Sequence, residues 1–122
     1  VNTVAGTAPV PVRTTLVTGP TPAAREQAIA AIAAPGDSIL LEGLPDGHTI
    51  LPDHFDVQRI APGCLCCTGN LVLRVTLNRL LRRHPERVLI GLASTEHLDQ
   101  LRSWLQGSPY DQLLALTPDL VA

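Results

Sequence analysis

Five short aliphatic or β-branched runs alternate with stretches of helical periodicity, and this alternation is what most constrains the fold. Residues 13–18 (Arg-Thr-Thr-Leu-Val-Thr) carry β-branched content and end at Gly19-Pro20. Thr21 then offers an N-cap with Pro22 in the first helical position, and 23–34 is Ala-rich until Pro35-Gly36 stops it. Residues 38–41 (Ser-Ile-Leu-Leu) form a continuous apolar run of the kind buried on both faces of a sheet. A polar loop spans 44–55, and 56–61 reads as a third strand. Between 70 and 84, Leu73, Leu77, Leu80 and Leu81 fall on one helical stripe, closed by Pro85. Residues 87–93 are a further buried strand, and Thr95 caps a helix carrying Leu98, Leu101 and Leu105 that ends at Gly107. The last strand is 113–116. Strands alternating with helices predict an α/β fold: a three-layer, mostly parallel sheet of about five strands, helices on both faces and right-handed crossovers.

With 122 residues, 45% of them hydrophobic, and one each of Phe, Tyr and Trp, the core must be built from Leu, Val, Ile and Ala. Residues 1–12, with prolines at 9 and 11, read as a flexible arm preceding one domain over 13–122. A net charge of −2 gives no electrostatic reason for a nucleic-acid or anionic-membrane partner. The Ala/Ile run 28–34 is far shorter than the roughly 20 residues that span a bilayer. Three cysteines, two of them adjacent, do not make a disulfide framework, and no basic, apolar leader precedes the first strand; a soluble protein of the reducing cytoplasm is expected.

All three cysteines lie in one stretch, Pro62-Gly63-Cys64-Leu65-Cys66-Cys67-Thr68-Gly69-Asn70, between a strand and the best amphipathic helix. Thiolates suit soft or borderline metals such as Zn²⁺ or Cu⁺, and a helix start lowers thiol pKa toward the ligating form. Cys64, Cys66 and Cys67 are thus candidate metal ligands. A fourth ligand is open among Glu42, Asp46, His48, Asp53, His54 and water. Two other readings of the stretch remain: a reactive thiol pair, with Cys64 and Cys67 as its members, or small buried residues in a tight turn. His84, beyond the leucine stripe, and Arg79, Arg82 and Arg83 read as surface groups. His97 with Ser94 and Asp99 lacks an independent nucleophile elbow.

The sequence Gly63-Cys64-Leu65-Cys66-Cys67-Thr68 resembles the Gly-Cys-x-Cys-Cys signature of the CobW-type GTPases, P-loop metallochaperones. Leu16-Val17-Thr18-Gly19 is similar to that family's first strand entering its phosphate loop, and Leu41-Glu42-Gly43 to the region after its second strand. Residues 88–94 stand where the family has a strand and a Glu-x-x-Gly turn. The resemblance implies a P-loop NTPase-like fold and zinc, or a neighbouring transition metal, on the cysteine motif, with Glu42 as a metal-site or switch residue. The departures are equally specific. Gly19-Pro20-Thr21-Pro22-Ala23-Ala24-Arg25-Glu26-Gln27 stands in place of the phosphate loop, two prolines remove backbone donors, and Glu26 replaces a magnesium-binding hydroxyl. All nine basic residues are arginine, so neither a phosphate-loop lysine nor a guanine-reading Asn-Lys-x-Asp motif exists in this chain. Gly91 stands for the acidic residue and Ser94 for the glycine of the later turn, and the chain ends near where the guanine-reading segment and C-terminal domain would begin.

The expectation is a degenerate, truncated CobW-like domain that binds zinc or a similar thiophilic metal, without catalytic residues and without a nucleotide cofactor. It would act in metal handling or in docking to a protein partner or a second copy. The alternatives are a GTP-binding or GTP-hydrolysing metallochaperone whose nucleotide site a partner completes, and a thiol redox protein.

Overall fold

The computed structural model describes residues 10–43, 51–52, 54–61, 71–96 and 98–122. Its elements in order are β1 (Val12–Thr18), α1 (Pro22–Ile32), β2 (Asp37–Glu42), β3 (Asp56–Ile60), α2 (Leu71–Leu81), β4 (Arg87–Gly91), α3 (Leu98–Leu105), α4 (Tyr110–Leu113), β5 (Leu114–Leu116) and β6 (Leu120–Val121). The strand order is β3-β2-β4-β1-β5, with β6 added to β1, and every pairing is parallel. This is the expected α/β architecture, with helices on both faces of a mostly parallel sheet.

The two faces follow directly from the period of two along each strand. Leu16, Leu40, Val88 and Ile90 point to one side, where they pack with Leu73, Leu77 and Leu80 of α2 and Leu101 and Leu105 of α3. Val17, Ile39, Leu41 and Leu89 point to the other, against Ile29 of α1 and Leu51. The burial of β2 along its whole length explains why it reads as a continuous apolar run rather than an alternating one.

The sequence signals hold to within a few residues. Thr21 caps α1, its hydroxyl accepting from Ala24 N–H at 3.0 Å. The second helix stops at Leu81, earlier than expected, and His84 follows it with φ of 54°. The third starts at Leu98, with Thr95 joined to it through its carbonyl, which accepts from Leu98 N–H at 3.1 Å. The one-turn α4 and the two-residue β6 have no counterpart in the sequence reading, because neither is long enough to show a period. α4 is fixed by Tyr110, whose ring lies 4.9 Å from Trp104 and whose hydroxyl donates to Asn78 Oδ1 at 2.8 Å. Burial raises the Tyr110 pKa above its usual value, against the opposing charge of Arg74.

The amino edge of the sheet is tied by ion pairs. Arg87 bonds Asp37 Oδ2 at 2.8 Å and the Ile32 carbonyl at 2.6 Å, joining β4, β2 and the end of α1. Asp56 accepts from Ser38 Oγ at 3.0 Å and pairs with Arg83. Partial burial of Asp56 would raise its pKa, but the hydrogen bonds from Arg83, Ser38 and Gln58 and the Arg83 charge outweigh it, so the net shift is downward.

Leu40 lies on a central strand with no exposure, so Leu40→Ala is expected to cost about 2–5 kcal/mol in urea unfolding. Because the folded Asp56 pKa lies below that of a free aspartate, 3.8, its contribution is fully present above about pH 4 and is lost as pH falls through the folded value. Asp56→Asn should flatten that part of the acid limb of the stability curve, read by denaturant titrations at a series of pH values.

Candidate functional site at the carboxyl edge of the sheet

In open parallel sheets, ligands sit beyond the carboxyl ends of the strands, where neighbouring connections leave in opposite directions. β1 and β4 are such a pair here: the chain leaves β1 through α1 toward β2 and leaves β4 through α3 toward β5. A cleft of about 240 Å³ lies at this edge, lined by the first turns of α1 (Pro22, Arg25, Glu26), the end of β2 (Leu41, Glu42, Gly43), Arg59 of β3, and Gly91 and Ala93 after β4.

Among the described residues, four ionisable side chains face this cleft. Arg59 forms a two-pronged pair with Glu26, Nη2 to Oε1 at 3.2 Å and Nη1 to Oε2 at 3.4 Å. Arg25 folds back so that its Nη1 donates to the Gly19 carbonyl at 2.9 Å, and only 6% of the residue remains exposed. Glu42, 8% exposed, accepts the Ala93 N–H on Oε1 at 2.8 Å. Gly19 itself is closely approached: a Cβ there would lie 2.8 Å from Ala122 Cβ and 3.1 Å from Arg25 Cγ. Ala122 is held in place by its N–H donating to the Thr18 carbonyl at 2.7 Å.

Gly91 explains its own lack of a side chain. A Cβ at this position would meet Leu41 Cδ2 at 2.9 Å and Ile29 Cδ1 at 3.4 Å, so the space is already taken by the core beneath α1. A side chain at this point of β4 would have to push the ends of Leu41 and Ile29 aside.

The sequence candidates fall on both sides of the description. Cys64, Cys66, Cys67 and His48 lie outside the described residues, as do Asp46 and Asp53. Glu42 closes β2 at the carboxyl edge, and the next residue, Gly43, with φ of 133°, donates its N–H to the Ile60 carbonyl at 2.7 Å. That bond holds the ends of β2 and β3 together just before the chain enters the cysteine stretch. His54 is exposed at the opposite, amino edge, with Asp37, Ser38, Asp56 and Arg83 around it and its ring 4.4 Å from Phe55. Glu42 and His54 are therefore separated by the length of the strands. Among the described residues no cluster of three or more His, Cys, Asp and Glu could hold a metal ion, and no helix is long and apolar enough to cross a membrane.

The sequence reading missed Arg59 and the Ala93 N–H as members of this edge. A signal for Arg59 exists in hindsight: it shares the parity of Val57, which packs on the side of the sheet that α1 covers. The Ala93 N–H left no signal, since any non-proline residue supplies one.

Comparison with known proteins adds one relationship. Over 76 residues, 62% of this chain, the sequence is 32% identical to Zinc chaperone YeiR of Escherichia coli (strain K12). The aligned part spans 23% of that protein's length. No family model matches the chain, and no solved structure matches it.

Introducing the acidic residue by Gly91→Asp is expected to destabilise the fold by about 1–3 kcal/mol, because the new side chain would crowd Leu41 Cδ2 and Ile29 Cδ1. Chemical denaturation of the variant beside Gly91→Ala separates the charge contribution from the steric one.

Proposed function

We propose that this chain is a non-catalytic, CobW-like domain that handles zinc or a similar thiophilic transition metal, held by Cys64, Cys66 and Cys67. The observation that carries this reading is the similarity to a protein named a zinc chaperone, in a chain whose three cysteines all fall within four positions. The chemistry of the donor set fits: three thiolates satisfy three of the four positions that tetrahedral zinc takes. The all-parallel sheet adds a second support, because the cysteine stretch follows the carboxyl end of β3, the edge at which such sheets hold their ligands.

The fourth position falls to Glu42, His48 or water, with His54 disfavoured by its place at the opposite, amino edge. Glu42 is the best supported of the residues, since it ends a strand at the edge from which the chain departs toward Cys64. Its Oε1 already accepts the Ala93 N–H, which fixes the orientation of the carboxylate. A carboxylate held in this way is the kind of outer support that tunes metal sites. Zinc binding to the thiols would release protons, so affinity should fall as pH is lowered. The role is that of a carrier or of a docking module that presents its metal to a protein partner or a second copy.

A redox role for the same cysteines predicts the opposite metal behaviour: low-pKa thiols that oxidise reversibly and carry no zinc. Elemental analysis of protein purified under reducing conditions, with competitive zinc titration, distinguishes the two. Near-stoichiometric zinc of submicromolar affinity is expected for the native chain, and a loss of at least about 100-fold for the Cys64→Ser/Cys66→Ser/Cys67→Ser variant. A native chain that binds zinc no more tightly than this variant overturns the metal reading.

A further inference from the structure

A P-loop-like sheet implies a nucleoside triphosphate with Mg²⁺ at the N-terminus of its first helix, and the residues present do not fit that group. Such a ligand needs backbone N–H groups aimed at phosphate, a cation-binding hydroxyl or carboxylate, and a net positive field. Pro20 and Pro22 have no N–H to give. The Thr21 hydroxyl is engaged as the cap of α1. The Ala93 N–H after β4 is taken by Glu42. Gly91 offers no carboxylate, and the ends of Leu41 and Ile29 crowd the position of its Cβ.

We infer that the cleft is completed by the chain's own side chains, with Glu42 in the place of an anion on the Ala93 N–H and the Arg59 guanidinium in the place of a cation on Glu26. Among the described residues, the charged groups lining the cleft are two guanidiniums and two carboxylates, which together bring no net charge to draw a polyphosphate. A magnesium ion entering beside Glu26 would meet Arg59 at 3.2 Å from the same carboxylate and would have to displace it. The structure thus holds by internal ion pairing a junction that a bound ligand would otherwise hold.

The internal pairing has a mechanical consequence. β3 is the outermost strand on its side, hydrogen-bonded to β2 alone among the described strands. The two-pronged Glu26–Arg59 pair ties the carboxyl end of the strand to α1 across 33 residues of sequence, as Arg83 ties its first residue, Asp56, to the end of α2. The side chains of Glu26 and Arg59 are mostly buried, at 11% and 21% exposure, so the pair is less screened than a surface one. It acts as a clamp on the edge strand, and no ligand has to arrive for it to close.

The test uses the full chain and two readouts. First, thermal unfolding is followed with GTP, GDP or ATP at millimolar concentration, with and without Mg²⁺, beside equilibrium dialysis with labelled GTP. No shift and no retained nucleotide are expected; a magnesium-dependent rise in Tm with saturable binding overturns the inference. Second, Glu26→Gln, Arg59→Gln and the double variant are compared by hydrogen exchange of the β3 amides and by Tm. Each single variant should speed exchange of β3, and the double variant should add little to either. Additive effects, or exchange in β3 unchanged by either substitution, overturn the clamp. Glu26→Gln is nearly isosteric, so the readout survives if Arg59→Gln folds poorly. Neither arm involves the cysteines, so failure here and failure of the zinc reading are separately visible.

Discussion

The pairing of β1 with β4 is the constraint on which the rest of the molecule depends. In register from Arg13 with Arg87 to Val17 with Gly91, it sets β2 beyond β4 and β5 beyond β1, and so forces the chain to leave the two central strands in opposite directions. That divergence opens a cleft between the first turns of α1 and the ends of β2, β3 and β4. Parallel strands cannot be joined by tight hairpins, so the connections through α1, α2 and α3 cross a face of the sheet. The helices in those crossings bury both faces. The aliphatic composition follows: Leu16, Leu40, Val88 and Ile90 on one side and Val17, Ile39, Leu41 and Leu89 on the other leave no strand residue at the centre of the sheet free to be polar without a partner.

Polar groups are accordingly concentrated at the two edges, and they differ in what they do. At the amino edge, Arg87 with Asp37 and Arg83 with Asp56 tie strand beginnings to the ends of the helices. At the carboxyl edge, Arg25, Glu26, Glu42 and Arg59 satisfy one another, the Gly19 carbonyl and the Ala93 N–H. A buried donor without a partner costs more than a formed bond gains, which makes such internal satisfaction the stable outcome once proline and arginine occupy the loop after β1.

This arrangement bears on how zinc handling would work. In a molecule whose edge strand is clamped by its own charges, the cysteine stretch begins from a fixed strand end, held also by the Gly43 N–H on the Ile60 carbonyl. Metal affinity would then be set by the thiolates and their fourth ligand, with pH acting through thiol ionisation. Glu42 links the two regions, since it both closes the cleft at Ala93 and pairs in register with Ile60, the last residue of the strand from which the chain departs toward Cys64.

The sequence by itself determined the fold class, because its information is local and periodic. The Val88-Leu89-Ile90 run, the leucines at 73, 77 and 80, and Thr21 with Pro22 each specify an element through interactions within a few residues. It also fixed the chemistry on offer, three thiols in one stretch and no lysine anywhere. Tertiary structure alone decided what the charged residues do. Glu26 meets Arg59 across 33 positions, Arg87 meets Asp37 across 50 and Glu42 meets the Ala93 N–H across 51; no spacing rule reaches that far. α4 and β6 belong with them, since a single turn and a two-residue strand exist only through what they touch. Local periodicity depends on neighbours in the chain, whereas pairing at the sheet edge depends on which strands the crossovers bring side by side.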